Sequence, residues 1–245
     1  MENKVTMGMN RTGAQASPMN AEDVEAFARK RMGEGHRNGE AYAGMHVDYI
    51  REAERVGSVP VPGAAKGVVT SVVSRLKGDK PSVFVDKLGE RMAFERTGVR
   101  LYEAMIMKWS ALNASERATV PGLDEGQLRA ILADEETHFR LLTDVARVLG
   151  ADPTAMTPAA DVAGVAAAGW LQVINDPRTT MTQALGVLLS AELTDDAGWE
   201  LLMELAKASG YSEMAEGFSV AEQAEHRHIE RIKGWLKWSV LREAS

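Results

Sequence analysis

Glu135-Glu136-Thr137-His138 and Glu225-His226-Arg227-His228 decide the reading of this chain, because both spell Glu-x-x-His within a stretch of helical periodicity. Residues three apart share one face of an α-helix, so each tetrapeptide sets a carboxylate beside an imidazole. Ahead of each stands another helix-like stretch with a Glu at its centre, Glu95 before the first and Glu192 before the second. The chain thus writes Glu, then Glu-x-x-His, twice over. Four helices carrying four carboxylates and two imidazoles to one point can hold two metal ions in their common core.

Working outward, the spacing predicts helices over 82–112, 124–149, 179–209 and 212–240. The first carries Leu88, Met92, Glu95, Val99, Tyr102, Ile106 and Trp109 at alternating steps of three and four, and the second Leu128, Ile131, Glu135, His138, Leu142 and Val145. The third carries Met181, Leu185, Leu188, Glu192, Asp195, Trp199 and Leu202, and the fourth Phe218, Ala221, Glu225, His228, Ile232 and Trp235. Such recurrence marks the buried face of a helix. A Glu stands in the middle of that face in all four. A buried carboxylate without a partner is costly, so four of them with two His imply compensation through bound cations.

The connections agree with two antiparallel hairpins, since short turns join the first helix to the second and the third to the fourth. Residues 151–178 are long enough to cross between hairpins, with a short helix expected over 159–173. Ligand spacing is 225 − 192 = 33 in one hairpin and 135 − 95 = 40 in the other. The difference fits into the loop 113–127, where insertion costs little. Ahead of this domain, 81–245, lies an N-terminal extension, 1–80. Its first 20 residues read as a disordered tail. Short helices are expected over 21–32, 40–55 and 64–76, broken at 33–39 and by Val59-Pro60-Val61-Pro62-Gly63.

Composition narrows the chemistry. A net charge of −7 leaves no domain-scale basic surface, which argues against nucleic acid as a partner. There are no cysteines, which excludes disulfides, thiolate nucleophiles and Cys-ligated zinc or iron–sulfur centres in this chain. The polar N-terminus has no signal-peptide core, and no apolar run is long enough for a transmembrane helix. The expectation is a cytoplasmic protein that does not engage a membrane.

With these residues in place, the chain resembles the ferritin-like di-iron carboxylate superfamily, which includes ferritins, rubrerythrins, manganese catalases and the ribonucleotide reductase small subunit. The resemblance covers roughly residues 82–240. Asp134 ahead of Glu135, Arg227 ahead of His228 and Tyr102 seven residues after Glu95 fit it as well. It implies an all-α, up-down-down-up ferritin-like four-helix bundle with a long crossover between the second and third helices. Glu135 and Glu225 would then bridge two metals, with Glu95, His138, Glu192 and His228 as terminal ligands.

The expected cofactor is two iron ions, with manganese or a mixed pair as the alternative, because oxygen and nitrogen donors suit these metals better than structural zinc. The expected function is an oxidoreductase acting on O2 or H2O2, with Fe(II) or a small organic molecule as further substrate. An organic-substrate oxygenase and a non-catalytic binding module stand as alternatives, and the resemblance implies a homodimer. Tyr102 is the candidate catalytic residue. Asp195, one turn after Glu192, is either a seventh or switching ligand or a residue that supports one or forms a helix salt bridge, whereas Asp196 and Glu222 are expected at the surface and His226 as a solvated or interhelical residue. His36 and His46 lie outside the bundle, and Trp109, Trp199 and Trp235 are expected to pack.

Overall fold

The structure, a computed structural model, describes residues 39–54, 56–59 and 81–244, together with 23, 26, 27 and 30. The expected tail, the Pro-rich stop at 60–63, the helix over 64–76 and the break at 33–39, apart from Gly39, which is helical, lie outside the described residues. Of 21–32, the four described residues are helical. The chain divides into two units, residues 1–55 and 56–245, and each is described by itself. In the first, α1 spans Gly39–Glu52 and leaves Met45, Val47, Tyr49 and Ile50 exposed.

The second unit is all-helical among the described residues: α2 (Pro81–Ala111), α3 (Ala114–Arg117), α4 (Glu125–Val148), α5 (Pro158–Asn175), α6 (Met181–Ala208) and α7 (Ser212–Glu243). Side-chain caps set most of the starts. Asp124 accepts from the Gln127 amide, Thr157 caps α5 ahead of Pro158, and Thr180 forms a capping box with Gln183. Gly150 and Gly210, at φ 74° and 82°, end α4 and α6. In each case the next amide reaches back to a last-turn carbonyl, Ala151 to Ala146 and Tyr211 to Ala206. The one-turn helix α3, closed by an Asn113–Glu116 capping box, was expected as plain loop.

Helices α2, α4, α7 and α6 form a closed ring of neighbours, and α5 packs on α2 and α6. Side-chain contacts fix the directions. Phe84 and Leu88 at the start of α2 share one buried cluster with Ala146 at the end of α4 and Ala206 at the end of α6, while Thr182 at the start of α6 hydrogen-bonds Ser239 at the end of α7. The order is therefore up, down, down, up. Two apolar clusters fill the interior. One gathers residues 101–109, 128–131, 181–191 and 232–235, and the other 84–92, 142–146, 199–206 and 215–221. On every one of the four helices the gap between those clusters is occupied by the Glu and His residues.

Among the described residues no helix is long and apolar enough to cross a membrane.

Candidate metal centre

Glu95, Glu135, His138, Glu192, Glu225 and His228 are all buried, at 0–5% exposure, in the layer between the two apolar clusters. Their donor atoms form two overlapping sets, Glu95–Glu135–His138–Glu225 and Glu135–Glu192–Glu225–His228, with each set's atoms within 4.8 Å of one another. Glu135 and Glu225 belong to both. Each set holds three carboxylates and one imidazole and could hold a metal ion.

The inward atoms are the ones left poorly satisfied. Glu95 Oε2, Glu135 Oε1, Glu192 Oε2, Glu225 Oε1 and His138 Nδ1 are buried without a well-formed hydrogen bond and face only one another and His228. His138 Nδ1 lies 2.8 Å from Glu225 Oε1 and His228 Nδ1 3.3 Å from Glu192 Oε2, an arrangement that costs stability unless something else satisfies them. The outward atoms, by contrast, are held. Arg91 Nη2 donates to Glu95 Oε1 at 3.1 Å, and the Tyr102 hydroxyl donates to Glu192 Oε1. His228 turns Nε2 to Asp134 Oδ2 at 3.1 Å, which leaves Nδ1 facing Glu225, Glu192 and Glu135 at 3.1–3.6 Å. A carboxylate behind an imidazole fixes its tautomer and raises its basicity.

Charge crowding shows in the ionisation. Burial, reinforced by Glu225 and Glu192, holds the Glu135 carboxyl well above its usual range. Burial takes Glu192 up to about 7 against the pull of His228. For Glu225 burial also pushes upward, but the two imidazoles win and bring it to about 2. Burial pulls both imidazoles down, yet their carboxylate neighbours raise His138 to about 9 and His228 to about 10.

The imidazoles and Glu192 have folded pKa values above their ordinary ones, so their contribution to stability is present in mild acid and lost as pH rises through about 7 to about 10. Metal-free protein should thus melt lower as pH rises over that window. A metal would have to displace these protons. Metal binding at neutral pH should therefore release at least about two protons per chain, one from each imidazole and more from the raised carboxyls of Glu135 and Glu192, and affinity should rise with pH. Calorimetry in two buffers of different ionisation enthalpy measures the count, and no release would contradict it.

Asp195 resolves towards the salt-bridge reading: it pairs with Arg91, which is 3% exposed and also bonds Glu95. Tyr102 is buried on Glu192, where burial first, and the carboxylates next, hold its hydroxyl well above the usual range. Trp199 packs edge-on to His138 at 5.6 Å between ring centroids, and Trp109 and Trp235 lie in the core. His226 is exposed, but Asp196 is half-buried rather than a surface residue, 3.5 Å from the His226 ring. Its Oδ1 is buried.

Three features escaped the sequence reading. Arg91, four residues before Glu95, has the spacing of an ordinary exposed helix pair, yet it is buried. Gly98 and Gly198 make room for site side chains. A Cβ on Gly98 would overlap Glu135 Oε2 and stand 3.0 Å from its Cδ, and one on Gly198 would overlap the Arg91 guanidinium. Gly98→Ala should therefore drive Glu135 out of place. The expected cost is about 1–3 kcal/mol in a denaturant melt, together with loss of metal uptake although no ligand is altered.

No family model matches the chain, and no protein of described function and no solved structure is detectably similar to it.

Proposed function

We propose that this chain is a ferritin-like four-helix bundle protein carrying a dinuclear metal centre, and that it is an oxidoreductase reacting with O2 or H2O2. The observation that carries the reading is the pair of overlapping, buried donor sets whose inward atoms have only one another as partners. The charges fit too. Glu95, Glu135, Glu192, Glu225 and Asp195 set against Arg91 leave a surplus of four negative charges, which two divalent cations would match with neutral imidazoles.

Iron or manganese bound there would supply redox chemistry towards O2 or peroxide. The chain's own residues supply the rest. Glu135 and Glu225 stand where each faces both positions, Arg91 and Tyr102 hold the terminal carboxylates so that one oxygen of each points inward, and Asp134 orients His228. The apolar clusters on either side keep bulk water away, which strengthens every charge interaction between them.

Ferroxidase or peroxidase chemistry is the leading form of this reading, with oxidation of an organic molecule as its alternative. A cavity of about 620 Å³, lined by Lys108, Thr179, Thr182 and Glu243 among others, lies apart from the six residues. Protein given Fe(II) should consume O2 or H2O2 faster than the same iron free in buffer, and a His138→Ala variant should not. Equal rates with and without protein would overturn the reading.

A further inference from the structure

We propose that Arg91 and Asp134 make the two halves of the centre unequal, so that a divalent cation fills the Glu192–His228 half first and the Glu95–His138 half about ten- to a hundredfold more weakly. This rests on the two-metal reading and goes beyond it by ranking the two positions.

The halves are built alike and differ in charge. Each terminal carboxylate has one oxygen tied by a donor on α2 and one turned inward. On Glu95 that donor is the permanently charged guanidinium of Arg91, while on Glu192 it is the neutral phenol of Tyr102. The place matching Arg91, four residues before Glu192, is Leu188. A cation held against Glu95 Oε1 draws charge from the ligand and repels an incoming metal. Asp195 offsets part of this by pairing with the same guanidinium, so Glu95, Asp195 and Arg91 together leave one negative charge.

The other half carries two. Glu192 has no Arg or Lys beside it, only the His228 imidazole that answers to His138 beside Glu95, and Asp134 lies 3.1 Å behind His228. At the matching place before Glu225 is Ala224, and the His138 ring meets Trp199 instead. The seat of Arg91 is a built one. Gly198 clears its space, Phe94 lies 4.5 Å and Trp199 5.7 Å from its Cζ, and it is 3% exposed.

The test is an anaerobic titration of the metal-free full chain with Co(II), followed by calorimetry and visible absorption. Two unequal steps are expected. His228→Ala should abolish the tighter one, and His138→Ala should leave it. Asp134→Asn alters a half-exposed residue and should weaken the tight step about tenfold without moving the other. Arg91→Gln, with folding checked by circular dichroism, should tighten the weak step, and Arg91→Lys should preserve the gap. Two equal steps, or loss of the tight step in His138→Ala instead, would overturn the ranking and leave the two-metal reading standing. No cobalt uptake at all would overturn both.

Discussion

Glu225→Ala should remove both metals at once, taking metal content from about two per chain to near zero, whereas Glu95→Ala should leave one behind. The contrast follows from membership: Glu225 belongs to both donor sets, Glu95 to one. Glu225 is also the carboxylate to which both imidazoles turn, His138 Nδ1 at 2.8 Å and His228 Nδ1 at 3.1 Å. Losing it removes a support of both His pKa values, so the alkaline fall in stability of the metal-free protein should flatten in this variant. Elemental analysis of the two variants beside the parent decides the first point, and melting curves across pH the second. A Glu225→Ala protein that kept one tightly bound metal would show that this carboxylate is not shared.

The second large effect is on folding. Arg91→Ala should destabilise the metal-free chain by about 3–5 kcal/mol, because it leaves Glu95 and Asp195 buried without their cation. The loss should shrink when the partner goes as well. An Arg91→Met, Asp195→Leu double variant should be clearly more stable than the sum of the two single replacements implies, since each single change strands a buried charge and the double one does not. Denaturant melts of the four proteins give the coupling. Additive losses would mean that the two residues act independently despite their contact.

Much of this site was legible because the candidate ligands sit where helical periodicity puts apolar residues. Glu95, Glu135, Glu192 and Glu225 each fall on a face otherwise made largely of apolar residues, and the structure buries all four at that register. Caps and stops were equally readable at Gly150 and Gly210, where a positive φ needs glycine. The short helix α3 was missed because its signal is a local capping box rather than a periodic face. Arg91 was missed because Arg four residues before Glu is the commonest exposed helix pair, and only the packing of α6 against α2 shows it enclosed. Gly98 and Gly198 say nothing in one dimension, because the side chains they admit come from α4 and α2, far along the chain.

Metal content of the protein, purified without chelators and then offered Fe(II) or Mn(II), tests the central claim most directly. About two ions per chain, retained through desalting, is the expected result. A chain that holds none, and takes up none on titration, would contradict it and leave four buried carboxylates satisfied only by their own protons and imidazoles.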